Sequence, residues 1–186
     1  MFGAINKLSN MKSVSILLII FLCSMFIMRS AISTLKGITG GIGILDLHFS
    51  YTVQEIYETL FLQGVAGRSY YLTTFFIIDF IYPLTYAFFY SVVISYFFKV
   101  LKIKNKIVNY FIVLPFIGMA FDYLENLFLS IILMKYPTEL FYLGLISSYC
   151  TKIKFLCVYL SLLLAILLFL VILFKKIKIS LKFLMK

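Results

Sequence analysis

Four long apolar runs, separated by short basic segments, dominate the pattern of hydrophobic and polar positions along this chain. They cover residues 13–28, 70–98, 108–134 and 155–174, and lysine or arginine stands at most of their ends. Since about 20 apolar residues are enough for a helix to cross a bilayer, each run predicts a transmembrane helix. We therefore predict an all-α fold in which residues 1–186 form a single polytopic membrane domain, a bundle of four transmembrane helices.

The long segment between the first two runs, residues 37–67, carries a helix signal of its own. We call this segment the outer connection. Thr52 is followed three residues later by Glu55, the spacing of a capping box, in which each residue bonds the backbone amide of the other. A helix should therefore begin at Val53 and end at Gly64, since glycine suits a left-handed C-terminal cap. Its apolar residues share one face: Val53, Ile56, Tyr57, Leu60 and Phe61. We predict a short outer amphipathic helix at the bilayer surface or over the mouth of the bundle.

The composition agrees with a membrane location and argues against nucleic-acid binding. Hydrophobic residues make up 63% of the chain, charged residues make up 13%, and the mean hydropathy is +1.09, which leaves too little polar surface to cover a soluble globule. The net charge of +10 comes largely from lysines near the ends of the apolar runs, where they meet anionic lipid head groups. We predict membrane lipids as partners and no nucleic acid. The three cysteines show no metal-ligand spacing, and we expect neither a metal nor a cofactor.

Positive charge is distributed unevenly over the two ends of the predicted bundle. The side that holds both termini and the connection between the second and third runs carries eleven lysines. The opposite side carries six lysines and arginines, a number that includes Lys152 and Lys154 just before the fourth run. Because cytoplasmic segments are richer in these residues, we predict a multi-pass protein of the cell membrane. Its N- and C-termini should be cytoplasmic, with a cytoplasmic tail over residues 175–186.

Three carboxylates interrupt the apolar runs, Asp79 in the second and Asp122 and Glu125 in the third. A charge near the middle of a span costs roughly 2.5–3.5 kcal/mol on insertion scales, so such acids are functional-site candidates by default. Helical spacing places other polar side chains on the same two faces, and antiparallel neighbours should bring these faces together. Six residues are predicted to form a ligand-binding pocket: Asp79, Tyr82, Tyr86, Asp122, Glu125 and Asn126.

Three functions are compatible with such a pocket. In the leading hypothesis, the protein binds or moves a small amphiphilic or cationic ligand, or protons. In the second, it is a membrane-embedded enzyme in which Asp79 and Glu125 carry out acid and base chemistry on a lipid-like substrate, while Asp122 adjusts their basicity. In the third, hydrogen bonds among the acids only join the helices, and the protein is a structural subunit of a membrane complex. Four spans are few for a carrier, which favours a homo-oligomer if transport is the function.

A secondary site is predicted in the outer connection. Asp46 and His48 lie close together in the sequence, and Glu55 and Arg68 flank the outer helix. His48 is the only histidine of the chain, and its position near the membrane surface favours an interface residue over a catalyst. Arg68 is expected to pair with Glu55, with Glu58 or with a lipid phosphate.

The polar residues between Asp46 and Pro137 resemble a pattern in small four-span prokaryotic membrane proteins of unassigned function. The most specific parts are an Asp-x-x-Tyr-Pro element that begins at Asp79 and an Asp-x-x-Glu-Asn element that begins at Asp122. This resemblance implies a shared fold and site but no activity. A weaker, architectural likeness is to the EXPERA family, which includes sterol isomerases and sigma-2-type receptors and places acidic residues in a lipid-facing pocket. That likeness implies binding of a sterol or a hydrophobic amine, and no catalytic residue is carried over from it.

Overall fold

The computed structural model describes residues 2–45, 48–103, 105 and 107–184, which form helices joined by short connections. The helices are α1 (Phe2–Leu8), α2 (Met11–Ile38), α3 (Val53–Tyr70), α4 (Phe76–Val100), α5 (Ile107–Lys135) and α6 (Phe141–Leu184). Four stretches are long and apolar enough to cross a membrane: Met11–Ile38, Val53–Val100, Ile107–Lys135 and Phe141–Lys178. The predicted all-α fold with four membrane-spanning helices is therefore confirmed. Of the residues that entered the predictions, Asp46, Lys104, Lys106 and Lys186 lie outside the described residues.

The outer surface of the long helices is apolar. Phe26 on α2, Tyr110 on α5 and Phe174 on α6 are 74%, 76% and 69% exposed, and many aliphatic side chains around them are exposed as well. Soluble proteins rarely present contiguous apolar surfaces of this extent. Hydrocarbon chains of a bilayer solvate such a surface, as expected for a multi-pass membrane protein.

Two helical pieces joined at Gly64 make up α3. The predicted start at Val53 is confirmed, whereas the predicted end at Gly64 is a break, because the helix continues to Tyr70. The hydroxyl of Thr52 accepts a hydrogen bond from the amide of Glu55 at 3.1 Å, and the carboxylate of Glu55 accepts one from the amide of Thr52 at 2.6 Å. Gly64 has φ 64° and ψ −175°, a conformation essentially restricted to glycine. The second piece continues through a π-helical turn at Tyr71–Phe75 into α4, so the second span begins earlier than residue 70.

The first piece of α3 packs its apolar face onto the start of α6. A Cβ atom added to Gly144 of α6 would lie 3.1 Å from Ile56 Cδ1 and 3.1 Å from Val53 Cγ2, so the absence of a side chain allows this contact. Leu60 is buried on the same face. Phe61, which was predicted on the same apolar face, is 71% exposed and does not take part in this buried contact. Because Phe61 follows Leu60 directly, it is turned about 100° away from it around the helix.

Helix α4 lies at the centre of the bundle and packs against α1, α2, α5 and α6. Helices α5 and α6 also pack closely against each other. A Cβ atom on Gly118 of α5 would come 3.2 Å from Cys157 Cβ and 3.3 Å from a Val158 methyl group. Because no side chain intervenes at Gly118, the two backbones approach, and the polar face of α5 meets α6.

Candidate functional site

The three intramembrane acids are buried where α4, α5 and α6 meet. Asp79 is 3% exposed, Asp122 is 4% exposed and Glu125 is fully buried. Asp79 follows the π-helical turn closely on α4, and such turns are frequent at functional sites. Asp122 and Glu125 lie one turn apart on α5 and therefore point in similar directions. Asn126, the next residue, is buried as well.

A lysine from α6 joins these acids. The Lys154 ammonium lies 2.6 Å from Glu125 Oε2 and 3.4 Å from Asp122 Oδ1. Helix α6 begins at Phe141, which places Lys154 about 20 Å along the helix from that end. The prediction that Lys154 lies outside the fourth span is wrong, because the lysine is buried inside the bundle.

A lysine normally marks the end of an apolar run, which is why hydropathy alone misplaces Lys154. The signal that identifies it is its spacing from two other polar residues of α6. Ser147, Thr151 and Lys154 recur at intervals of four and three positions and so share one helix face. All three are buried. Polar residues that keep a helical period are directed at a common partner.

Glu125 is engaged through both of its carboxylate oxygens. Its Oε1 accepts hydrogen bonds from the hydroxyls of Thr151 at 2.6 Å and of Tyr51 at 3.0 Å, while its Oε2 faces the α6 lysine. Tyr51 belongs to the outer connection, and it is fastened to α6 by two serines. The Ser148 hydroxyl donates to the Tyr51 carbonyl at 2.6 Å, and the Ser147 and Tyr51 hydroxyl oxygens lie 2.8 Å apart. Glu125 therefore joins α5, α6 and the outer connection.

A cavity of about 160 Å³ lies beside the acids, between α2, α4 and α6. We call it the central cavity. Its charged lining residues are Asp79, Asp122 and Lys154, and Tyr86 donates a hydrogen bond to Asp122 Oδ2 at 3.0 Å. Most of the remaining lining is aromatic or aliphatic: Phe21, Met28 and Ile32 of α2, Tyr82 and Tyr90 of α4, and Phe155 of α6. Since a protein cavity of roughly 150 Å³ accommodates benzene, this one has room for a group of about that size.

The predicted pocket residues divide into two groups. Four of the six line the central cavity: Asp79, Tyr82, Tyr86 and Asp122. Glu125 and Asn126 are buried but do not belong to its lining. Sequence reasoning missed Lys154, Phe21 and Tyr90 as lining residues. Tyr90 continues the four-residue repeat of the other two tyrosines, a signal that was present in the sequence, whereas nothing local marks Phe21.

Arg68 has a structural role at the break in α3. Its Nη1 donates a hydrogen bond to the Leu60 carbonyl at 2.5 Å, and its guanidinium carbon lies 4.3 Å from the centre of the Tyr136 ring. Carbonyls at the end of a helical segment lack intrahelical donors, and the break at Gly64 creates such an end. The guanidinium supplies a donor there and stacks on an aromatic ring at the same time.

The other members of the predicted outer site do not gather around Arg68. Glu55 is engaged in the capping box, and His48 is exposed, while Asp46 lies outside the described residues. Within the described part of the chain, Arg68 forms no ion pair with Glu55 or Glu58. The expected pairing of Arg68 with either acid is therefore wrong.

No family model matches this chain, and comparisons with curated proteins and with solved structures gave no match either. The resemblance to small four-span prokaryotic proteins and the likeness to the EXPERA family therefore stay predictions.

Proposed function

We propose that this protein binds a small organic cation, with an ammonium group of the ligand held between Asp79 and Asp122 in the central cavity. The observation that carries the proposal is the combination of two buried carboxylates with aromatic and aliphatic walls in one cavity. Carboxylates accept charge-assisted hydrogen bonds from an ammonium group. Aromatic ring faces attract cations through their quadrupole.

The balance of charges in the cluster favours one more cation. Glu125 is the nearer partner of Lys154, at 2.6 Å, and Asp122 is the farther one, at 3.4 Å. If both of these acids are ionised, two carboxylates share one ammonium, which leaves one negative charge shielded from water. Uncompensated buried charge is strongly unfavourable. Either a bound cation or a proton on one of the acids would supply the missing positive charge, so ligand binding and proton binding should be linked.

The apolar walls of the cavity favour a ligand that carries hydrocarbon next to its charge. Phe21, Met28 and Ile32 form the wall on α2, and Phe155 and Val158 form the wall on α6. Burying apolar surface contributes about 25 cal/mol per Å². The volume of about 160 Å³ limits the enclosed part to roughly a benzene ring. An arylammonium or a short alkylammonium therefore fits better than a sterol nucleus.

The enzyme hypothesis requires different residues from those first considered. A general acid or base must reach its substrate, but Glu125 does not line the cavity. Asp79 and Asp122 are the acids that face the cavity. Proton transfer between these two acids and a lipid-like substrate is the form of the enzyme hypothesis that the geometry permits.

We also infer that both termini lie in the cytoplasm and that the protein belongs to the cell membrane. Lys154 is buried inside the bundle, so it no longer counts among the basic residues of the outer side. The count of lysines and arginines becomes eleven on the side of the termini and five on the opposite side. This larger difference supports the same orientation more strongly. Homo-oligomerisation stays a prediction.

Isothermal titration calorimetry in a non-ionic detergent tests ligand binding with two probes of similar size, benzylammonium and benzyl alcohol. We expect the cation to bind and the alcohol not to bind. Asp79→Asn and Asp122→Asn each remove a charge-assisted hydrogen bond, worth about 1.5–3 kcal/mol. Each variant should therefore weaken benzylammonium binding roughly 10- to 150-fold. Glu139→Gln is the matched control, since this carboxylate is exposed, and it should keep wild-type affinity.

Two results would refute the proposal: equal affinity for benzyl alcohol, or unchanged benzylammonium affinity in both aspartate variants. Far-UV circular dichroism of each variant excludes misfolding as the cause of a lost signal. An enzyme would behave differently, because Asp79→Asn would retain its ligand while losing turnover of a lipid-like substrate. A purely structural subunit would bind neither probe.

A further inference from the structure

A second, larger cavity lies at the end of the bundle opposite the outer connection. It is an open groove with a volume of about 650 Å³, lined by α1, the end of α4, residues 102, 103 and 105 after it, and the start of α5. We call it the basal cavity. Much of its lining is polar or basic: Asn6, Lys99, Lys102, Asn105 and Asn109. We propose that the basal cavity binds the phosphate of an anionic lipid head group.

Helix α1 forms a fixed wall of this cavity. The Ser9 hydroxyl, directly after α1, donates a hydrogen bond to the Ser95 hydroxyl of α4 at 2.6 Å, and Ile5 is buried against the bundle. The Lys99 ammonium donates to the Ser9 carbonyl at 3.4 Å. These contacts hold α1 across the end of α4, so the cavity is a built feature of the fold.

Among the described residues, neither lysine of the basal cavity forms an ion pair with an acid. The chain has seven acids: Asp46, Glu55, Glu58, Asp79, Asp122, Glu125 and Glu139. The nearest in sequence, Asp79 and Asp122, are each 20 positions from the closer of Lys99 and Lys102, which corresponds to about 30 Å along a helix. The described residues supply no counter-charge here, which favours an anion from outside the chain. Lipid phosphates lie near the ends of transmembrane helices, and basic pockets between such helices are suited to anionic head groups.

The start of α5 adds a further attraction for an anion. Val108 and Asn109, in its first turn, line the cavity. Helix N-termini carry the positive end of the helix dipole and favour anions, and α5, with 29 residues, is long enough for this effect. The two lysines and this helix end converge on one space.

The remaining walls favour a lipid over a free phosphate ion. Phe98, Ile103 and Ile112 bring apolar surface into the same cavity. A phospholipid places its glycerol carbons and the first carbons of its acyl chains directly beside its phosphate. The volume of about 650 Å³ lies in the range of roughly 300–1,000 Å³ that is typical for drug-sized ligands. A head group with its adjoining hydrocarbon can therefore contact both the basic and the apolar walls.

Native mass spectrometry of the full chain in a non-ionic detergent tests this proposal. The protein is titrated with phosphatidylglycerol, with phosphatidylcholine and with glycerol 3-phosphate. We expect phosphatidylglycerol to bind in preference to phosphatidylcholine, because both have a phosphate but only the former carries a net negative charge. Each lysine near an anionic head group is expected to strengthen binding about fivefold. Lys102→Gln should therefore weaken phosphatidylglycerol binding about fivefold, and Lys99→Gln/Lys102→Gln should weaken it about thirtyfold. The single variant keeps the hydrogen bond from Lys99 to the Ser9 carbonyl, directly after α1.

Lys175→Gln/Lys176→Gln is the matched control, because these lysines carry the same charge at the same end of the bundle but do not line the cavity. This variant should change the affinity less than twofold. An equal loss in the control, or equal binding of the two lipids, would overturn the proposal in favour of diffuse surface attraction. Binding of glycerol 3-phosphate that is lost in the Lys102 variant would support the phosphate site but assign it a soluble ligand. Because the central cavity is separate, benzylammonium binding should not change in Lys102→Gln.

Discussion

Replacing Lys154 by methionine should destabilise the protein, although the new side chain is apolar and the position is buried. Hydropathy alone predicts the opposite result, since a lysine at the centre of a span is unfavourable by about 2.5–3.5 kcal/mol. In the folded protein, however, this lysine lies 2.6 Å from Glu125 and 3.4 Å from Asp122. Methionine has a similar size, but it leaves both carboxylates without this cation.

The expected size of the effect follows from the pairing. Removing one partner of a buried ion pair costs about 3–5 kcal/mol, because the remaining charge stays buried without compensation. For a chain of this length, 1 kcal/mol shifts the midpoint of thermal unfolding by roughly 2–4 °C. We therefore expect Lys154→Met to lower the Tm by about 6–20 °C.

A thiol-reactive fluorescent dye can follow this unfolding in detergent. Cys150 and Cys157 are buried near Lys154 on α6 and become reactive when the bundle opens. Cys23 is exposed and is replaced by serine in every variant to lower the background signal. Lys152→Met is the matched control, because Lys152 is only half buried and a change at such a position is worth at most about 0.5 kcal/mol.

The double variant Lys154→Met/Glu125→Gln separates ion pairing from packing. If unpaired charge causes the loss of stability in Lys154→Met, neutralising Glu125 should recover part of that loss. The double variant should then be at least about 1 kcal/mol more stable than the sum of the two single-variant losses predicts. Strictly additive losses would refute the ion-pair reasoning. A Tm for Lys154→Met within about 2 °C of the Lys152→Met control would refute it as well.

Two further predictions concern the contacts that assemble the site. Tyr51→Phe removes the hydroxyl that donates to Glu125 at 3.0 Å. We expect the free energy of unfolding to fall by about 1 kcal/mol and amide hydrogen exchange over residues 48–52 to become faster. Unchanged exchange would show that this bond does not fasten the outer connection. Gly118→Leu places a side chain where even a Cβ atom meets Cys157 at 3.2 Å. This variant should lower the stability by about 1–3 kcal/mol and weaken benzylammonium binding. The control Gly37→Leu should be tolerated, because a Cβ atom at Gly37 meets nothing within 4 Å.

The number of spans could be predicted because bilayer thickness fixes the length of an apolar run, but the helix ends were less accurate. Helix ends depend on local hydrogen bonds rather than on hydropathy. Asn10 begins α2 by accepting a hydrogen bond from the Ser13 amide at 3.0 Å, and the helix continues past Arg29 to Ile38. The capping box at Thr52 was predictable because its signal is local in sequence.

The site was predictable within each helix but not across helices. Helical period alone places Tyr82 and Tyr86 on the face of Asp79. The partners from other segments are distant in sequence, because Lys154 is 32 positions from Asp122 and Tyr51 is 74 positions from Glu125. No pattern in a single sequence connects residues so far apart. Only the close packing of α5 on α6 and the fastening of the outer connection bring them together.

The three acids have different surroundings, and this difference bears on the choice between a structural and a ligand-binding role. Glu125 fits a structural role, since both of its oxygens are engaged by residues of α6 and the outer connection. Both oxygens of Asp122 are engaged as well, by Tyr86 and Lys154, but Asp122 and Asp79 line the central cavity and Glu125 does not. A cavity lowers stability relative to a filled core, and carboxylates inside a membrane lower it further. Packing gives no reason to retain both features together, whereas a cationic ligand does. This favours ligand binding for Asp79 and Asp122, with Glu125 holding Lys154 beside them.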